Sequence, residues 1–114
     1  MIDSGKPESH FDGTEVVKVF LDDRRPTPEG WIRAYWPDEV IAFLQTGEVT
    51  ELSLDHDLGD DQRGTGYDVL VWLEEAVVVR QMQPPASIII HSANAAARQR
   101  MEAAVRSIRR RSGP

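Results

Sequence analysis

The stretch LSLDHDLGDDQRGTGYDVLVWL, residues 52–73, changes character abruptly in its middle. It begins as an apolar, alternating run typical of a buried β-strand, and this run ends in Asp55, His56 and Asp57. A glycine-rich loop with two more aspartates follows, and the apolar residues after it have the spacing of a helix. The sequence therefore predicts a strand and a helix joined by a loop, with carboxylates and a histidine where the strand ends.

The same pattern analysis predicts further elements on both sides of this stretch. Residues 24–30, RRPTPEG, contain two prolines and a glycine, which exclude a helix between the first two strands. The order β-β-α-β-α-β-α predicts an α/β fold with a four-stranded, mainly parallel sheet. The predicted strands are 16–23, 31–36, 50–57 and 87–91, and the predicted helices are 37–47, 67–83 and 94–111.

Length and composition exclude several classes of protein. The chain has 114 residues, and residues 1–14 lack periodicity, so we expect a flexible N-terminal arm followed by a single domain at 15–114. There is no cysteine, which excludes a disulfide partner and a thiolate metal site. No apolar run approaches the roughly 18 residues of a membrane helix, and the polar N-terminus lacks a signal-peptide core. We therefore expect a cytoplasmic protein with no membrane partner.

Charge is unevenly distributed along the chain. The net charge is −6, yet residues 98–114 carry six arginines and a single glutamate. These arginines could contact phosphates, but arginines at a helix C-terminus also suit the helix dipole. We favour the second interpretation and seek the functional residues in the acidic remainder of the chain, which would repel a polyanion unless a metal intervenes.

Three of the predicted strands end in polar clusters, namely Asp22-Asp23, Asp55-His56-Asp57 and His91-Ser92-Ala93-Asn94. Ligands of parallel sheets bind at the carboxyl ends of the strands. These clusters therefore converge on one pocket if the topology is correct. The alternative is that they are separate, exposed turn and cap residues.

The carboxylates of this pocket predict a metal site. Asp22, Asp23 and Asp55 would raise one another's pKa and oppose folding if they were brought together without a cation. A divalent cation removes this cost, and hard oxygen ligands with open coordination positions suit Mg²⁺ or Mn²⁺. Such a cation would hold a phosphate oxygen and stabilise its transition state.

The two strand-end histidines are candidates for proton transfer. Beside a phosphate, and together with Asp55, His56 and His91 could act as general base and general acid. Alternatively, a histidine packs at its strand end and bonds a backbone carbonyl. In an extended strand His56 faces away from Asp55, and His91 faces away from Ser92. This alternation favours Asp55 and Ser92 over either histidine.

Four residues are candidates for substrate binding: Arg24, Asp57, Ser92 and Asn94. An arginine fork binds phosphate well, although at least one of Arg24 and Arg25 is expected to neutralise the adjacent aspartates. Ser92 and Asn94 could each bond a phosphoryl group or cap the following helix.

These features resemble the receiver domain of two-component response regulators. The acidic pair after the first strand, Asp55 after the third, GYDVLVWL in the next helix and Ser92-Ala93 after the fourth strand match it in order. In that family the acidic pair binds Mg²⁺, the third-strand aspartate accepts a phosphoryl group and the hydroxyl senses it. The resemblance implies a flavodoxin-like three-layer sandwich, here reduced because the first helix and the fifth strand are missing.

The departures from ordinary receivers indicate a divergent group. The essential lysine that follows the fifth strand in receivers is missing, since the only lysines, Lys6 and Lys18, precede the acidic pair. The motifs DDRRP, LDHDLG and HSAN resemble those of cyclic-phosphate-processing receiver-like domains. That resemblance implies a metal-dependent phosphodiesterase or a sensor, whose partner is a cyclic-phosphate nucleotide or an RNA 2′,3′-cyclic phosphate end.

Two alternatives stay open at this point. A stand-alone receiver would accept a phosphoryl group on Asp55 and would signal without a substrate of its own. A pseudo-receiver would only bind a partner or form a homodimer, for which the aromatic strand WIRAYW, residues 31–36, offers a surface.

Overall fold

The computed structural model describes residues 16–113, which form four strands and three helices. Their order is the predicted β-β-α-β-α-β-α. The predicted N-terminal arm, residues 1–14, lies outside the described residues. The strands are β1 (Val17–Leu21), β2 (Ile32–Ala34), β3 (Val49–Leu54) and β4 (Ser87–Ile90), and the helices are α1 (Pro37–Leu44), α2 (Gly66–Arg80) and α3 (Ala95–Ser112).

The four strands form one parallel sheet in the order β2-β1-β3-β4. Residues 22–31 contain no helix, and no fifth strand joins the sheet among residues 16–113. These observations confirm the reduced, receiver-like α/β fold. Leu21, Leu54 and Ile90 are aligned across β1, β3 and β4. This register determines which of the polar residues that follow the strands meet one another.

All three helices pack on the same face of the sheet. Leu21 of β1 and Leu54 of β3 point to this face and belong to one buried core with Val40 of α1, Leu70 of α2 and Met101 of α3. Within this layer α1 contacts α2, and α2 contacts α3. Each large apolar side chain that is buried in this way contributes about 1.5–3 kcal/mol to folding.

The opposite face of the sheet carries the alternate strand residues, because successive side chains of a strand point to opposite sides. Lys18 and Phe20 of β1 and Glu51 and Ser53 of β3 lie on this face, and none of them belongs to the helix-side core. Residues 16–113 therefore supply two layers, one of helices and one of sheet, where the sequence predicted a three-layer sandwich.

Helix α2 begins directly against the end of β3 because residue 66 has no side chain. A Cβ atom at Gly66 would collide with the carbonyl oxygen of Asp55 and would lie 2.9 Å from Cε of Met101. The backbone N–H of Gly66 donates to the carbonyl oxygen of His56 at 3.2 Å. This close approach fixes both ends of the loop between β3 and α2 at the carboxyl edge of the sheet.

Strand β2 forms one edge of the sheet, and the nearby side chains of Ile32 and Tyr35 are exposed. Their use by a partner or a second copy of the chain stays a prediction. Within residues 16–113, no helix combines the length and the apolar character that crossing a membrane requires.

Candidate functional site

The residues that follow β1, β3 and β4 meet at the carboxyl edge of the sheet. Asp55 N–H donates to the carbonyl oxygen of Leu21 at 3.0 Å, and His91 N–H donates to that of Leu54 at 2.9 Å. These bonds continue the strand register by one residue, so that Asp22, Asp55 and His91 form the next row. One carboxylate oxygen of each aspartate and a ring nitrogen of His91 lie within 4.8 Å of one another. We call Asp22, Asp55 and His91 the strand-end cluster.

Asp22 is a fully buried carboxylate with four hydrogen-bonding partners. Its Oδ1 accepts from the backbone N–H groups of Arg24 and Arg25 at 2.8 and 2.9 Å. Its Oδ2 accepts from Nη1 of Arg25 at 2.8 Å and lies 3.0 Å from Nε2 of His91. Burial is the largest single influence and raises the pKa of Asp22, but these hydrogen bonds together outweigh it and lower the pKa to about 2. Asp22 is therefore an anion throughout the physiological pH range.

Asp55 is a second buried carboxylate, and its surroundings stabilise its charge less well. Its Oδ1 accepts from the backbone N–H of His56 at 2.8 Å, and its Oδ2 lies 3.4 Å from Nη1 of Arg25. Burial is the main cause that raises the pKa of Asp55. The His56 hydrogen bond opposes this rise, but the nearby charge of Asp22 adds to it. An additional cation beside Asp55 would favour the ionised carboxylate.

Three neighbours fix the position of the His91 ring. Phe20 stacks on it with ring centroids 4.7 Å apart and planes inclined by 3°. Oγ of Ser53 lies 2.7 Å from Nδ1, and Nε2 faces Asp22. Because an ionised carboxylate can only accept hydrogen bonds, Nε2 carries a proton, and Nδ1 of the neutral ring accepts from the Ser53 hydroxyl. Each ring nitrogen of His91 therefore has a hydrogen-bonding partner in the structure.

A cleft of about 410 Å³ opens at the strand-end cluster. This volume lies in the range of about 300–1,000 Å³ that is usual for small-molecule sites. The sequence predicted that the polar ends of three strands share one pocket, and residues from all three contribute to the wall of this cleft. The lining residues are Asp22, Asp23, Arg24, Arg25, Asp55, Asp57, Gly59 and Ala93.

Asp23, Arg24 and Asp57 line the cleft outside the strand-end cluster. Asp23 is half-buried, whereas Arg24 and Asp57 are exposed. Among residues 16–113, the acidic residues that approach closely enough to share a cation are Asp22 and Asp55, and the third member of that group is His91. In the structure His91 thus occupies the place in the group that the sequence assigned to Asp23.

His56, His91, Ser92 and Asn94 are not among the residues that line the cleft, and His56, Ser92 and Asn94 make local contacts. Nδ1 of His56 lies 2.7 Å from Oδ1 of Asp57. Oγ of the buried Ser92 accepts from the backbone N–H of Asn94 at 3.1 Å, and Oδ1 of Asn94 accepts from the N–H of Ala97 at 3.1 Å, which caps α3.

Strand alternation favoured Ser92 over His91, and the structure shows the reverse arrangement. His91 continues the row of Asp22 and Asp55 because its backbone pairs with Leu54. Ser92, one residue later, belongs to the turn that leads into α3. Side chains do alternate along this strand, as predicted. Whether His91 or Ser92 aligns with Asp55, however, depends on the register between β3 and β4.

The sequence predicted that at least one of Arg24 and Arg25 neutralises the aspartates, and Arg25 places its guanidinium on Asp22; no sequence signal separates the two arginines. Two further residues of the site were not among the candidates from sequence. Phe20 and Ser53 hold His91, and for these a signal exists. Each lies two residues before an aspartate of the strand-end cluster, and therefore on the same side of its strand.

Within residues 16–113, the lysine of ordinary receivers has no counterpart in this site. Nζ of Lys18 lies 5.5 Å above the ring of Trp31, near the beginning of β1. Lys6 lies outside the described residues. Beside the acidic pair the structure instead has the guanidinium of Arg25 and the imidazole of His91.

Comparisons with known proteins agree with this geometry. A family model described as "Cyclic-phosphate processing Receiver domain" matches residues 17–107. Neither a curated protein nor a solved structure matches the chain significantly. The matched range begins in β1 and ends within α3, so it includes all four strands and the whole strand-end cluster. On this match and this fold, the chain belongs to the family of cyclic-phosphate processing receiver domains.

Proposed function

We propose that the chain hydrolyses a cyclic phosphodiester and that its substrate is the 2′,3′-cyclic phosphate end of an RNA. The observation that carries this proposal is the strand-end cluster. It combines a permanent anion, a second buried carboxylate and a fixed imidazole beside a cleft with two arginines. Membership of the family supports a cyclic phosphate as the class of substrate.

The reaction requires one water molecule and one proton carrier. The water oxygen attacks phosphorus, the bond between phosphorus and one ribose oxygen breaks, and a phosphomonoester results. Asp55, a carboxylate in the wall of the cleft, takes the proton of the attacking water and returns it to the departing ribose oxygen. Both nitrogens of His91 already have partners, Asp22 and Ser53, so His91 positions Asp22 and carries no proton in this step. His56 bonds Asp57 and takes no part in the transfer.

Two arginines supply positive charge for the phosphate. Arg24 is exposed at the cleft, and the side chain of Arg25 is 45% exposed. A guanidinium presents parallel N–H donors that match two phosphate oxygens. Asp57, also exposed at the cleft, could accept a hydrogen bond from a ribose hydroxyl. Ser92 and Asn94 position the turn before α3 and contribute to this site indirectly.

The residues of the strand-end cluster also fit a divalent cation, Mg²⁺ or Mn²⁺. Oxygens of Asp22 and Asp55 and a nitrogen of His91 lie within 4.8 Å of one another, a spacing that one ion with ligand distances of about 2.0–2.2 Å can bridge. The raised pKa of Asp55 indicates that this carboxylate lacks full charge compensation. A bound cation would supply that compensation and would polarise a phosphate oxygen. The neighbouring imidazole favours Mn²⁺ over Mg²⁺.

The proposal is tested by incubating the purified protein with an RNA oligonucleotide that ends in a 2′,3′-cyclic phosphate, with and without Mn²⁺. Conversion of the cyclic ³¹P resonance into that of a monoester is the expected result. An unchanged resonance, together with no binding of the oligonucleotide, would contradict both hydrolysis and recognition.

The same preparation distinguishes a phosphoacceptor receiver. Incubation with a small phosphodonor, followed by intact-mass measurement, would show a hydroxylamine-sensitive adduct on Asp55 if the chain relays phosphoryl groups. We expect no stable adduct, because no lysine of residues 16–113 lies at the strand-end cluster; Lys18 lies over Trp31 instead.

A further inference from the structure

The guanidinium of Arg25 lies between the two carboxylates of the strand-end cluster. Its Nη1 is 2.8 Å from Oδ2 of Asp22 and 3.4 Å from Oδ2 of Asp55. The Asp22 side chain is fully buried and that of Asp55 is 10% exposed, whereas that of Arg25 is 45% exposed. A half-exposed cation therefore neutralises two buried anions.

The oxygen that Arg25 contacts is the one that a divalent cation would need. Oδ1 of Asp22 is occupied by the backbone N–H groups of Arg24 and Arg25. Oδ2 already faces Nη1 of Arg25 and Nε2 of His91. A cation about 2.1 Å from this oxygen would repel a guanidinium at hydrogen-bond distance from the same atom. The two positive groups therefore exclude each other at Oδ2.

We propose that Arg25 is an exchangeable counter-ion, which a divalent cation displaces from Asp22 and Asp55 and which then contacts the phosphate of the substrate. This inference rests on the proposed function. The backbone N–H of Arg25 stays on Oδ1 of Asp22 during the exchange, so the residue is anchored at the cleft while its side chain moves. Because the released guanidinium is a phosphate ligand, cation and phosphate bind cooperatively.

The exchange is tested by titrating Mn²⁺ into the wild-type protein, Arg25→Gln and Arg24→Gln by calorimetry, with free Mn²⁺ followed by electron paramagnetic resonance. Arg24→Gln is the matched control, since it removes the same charge from a neighbouring residue that contacts Asp22 through its backbone. Arg25→Gln should bind Mn²⁺ about tenfold more tightly than Arg24→Gln, because no internal cation competes. In the presence of Mn²⁺ it should bind a 2′,3′-cyclic mononucleotide more weakly than wild-type protein.

The relative Mn²⁺ affinities of the three proteins decide whether Arg25 competes with the cation. Equal Mn²⁺ affinities for Arg25→Gln and Arg24→Gln would overturn the exchange and leave the cation site intact. A lack of Mn²⁺ binding in all three proteins would overturn both the exchange and the cation of the proposed function. Arg25→Lys keeps a positive charge and should show a smaller gain than Arg25→Gln. Thermal unfolding without Mn²⁺ shows whether each variant is folded before it is titrated.

Discussion

Nε2 of His91 lies 3.0 Å from Oδ2 of Asp22, although 69 residues separate them in the chain. The sheet register makes this contact, and Phe20 and Ser53 hold the ring in place. Because Asp22 stays ionised, it accepts from the imidazole, which in turn fixes the position of this carboxylate. Of the two strand-end histidines, His91 is therefore the one that belongs to the strand-end cluster.

Replacing the two buried carboxylates is expected to change stability in opposite directions. Asp22→Asn removes an anion whose pKa is lowered from 3.8 to about 2, which corresponds to a loss of about 2 kcal/mol at neutral pH. Asp55→Asn removes a charge that burial and Asp22 disfavour, while the amide oxygen can still accept from His56 N–H, so stability should rise slightly. Urea denaturation at pH 7 measures both. Similar losses in the two variants would contradict the different environments described for these carboxylates.

The lowered pKa of Asp22 also predicts a loss of stability in acid. Its folded-state pKa lies below the ordinary value of 3.8, so its stabilising contribution is complete above about pH 4 and is lost as the pH falls towards 2. Asp55 affects stability in the opposite direction, because its pKa is raised in the folded state. Its stabilising contribution is greatest in acid and is lost as the pH rises through the folded-state pKa.

Unfolding free energies measured between pH 2 and 7 test these opposite contributions of Asp22 and Asp55. The fall in acid should be shallower for Asp22→Asn than for the wild-type protein, and steeper for Asp55→Asn. Parallel acid limbs in the wild type and Asp22→Asn would show that other carboxylates cause the loss.

Ser53 is expected to act through the orientation of His91. Ser53→Ala removes the hydroxyl 2.7 Å from Nδ1 and should lower the hydrolysis rate about tenfold, with little change in KM. Ser53→Thr keeps the hydroxyl and should restore the rate. Nitrogen-15 NMR of the imidazole provides a readout without substrate. The wild-type ring should be the Nε2–H tautomer with one set of resonances, and in Ser53→Ala the Nδ1 resonance should shift. An unchanged Nδ1 resonance would show that the hydroxyl does not hold the ring.

The approach of α2 to β3 predicts a large effect of one methyl group. Gly66→Ala places a Cβ atom against the carbonyl oxygen of Asp55 and near Met101. The helix must therefore move away from the strand, at a cost of about 2–3 kcal/mol. Gly113→Ala is the control, because its Cβ atom would meet only the carbonyl oxygen of Arg110, at 3.4 Å. Thermal unfolding of both variants measures the difference in stability. Equal melting temperatures would contradict the close approach of α2 to β3.

The sequence placed the polar clusters at the strand ends because a buried β-run becomes polar where it leaves the core, although the predicted strands 16–23 and 50–57 extend past the observed ends at Leu21 and Leu54. Asp22, Asp55 and His91 were all identified as residues that follow apolar runs. The choice between His91 and Ser92 could not be made in this way. It depends on the pairing of Leu54 with Ile90, and that pairing is a long-range contact that local patterns do not encode.

The placement of the helices on one face of the sheet could have been predicted from the strand order. Crossovers between parallel strands are right-handed, so two that proceed in the same direction along a sheet place their helices on the same face. From β2 to β3 and from β3 to β4 the chain moves in one direction, which puts α1 and α2 on one side. The connection from β1 to β2 moves in the other direction, and it contains the helix-free segment 24–30.

The measurement that decides between the two histidines is the hydrolysis of a 2′,3′-cyclic mononucleotide by His91→Gln and His56→Gln, followed by ³¹P NMR with Mn²⁺ present. His91→Gln should lose about tenfold in rate, because Asp22 loses the imidazole that positions it, whereas His56→Gln should stay within about threefold of the wild-type protein. Circular dichroism would confirm that both variants are folded. Full activity in His91→Gln, or no hydrolysis by the wild-type protein, would contradict a positioning role in this reaction for the histidine that contacts Asp22.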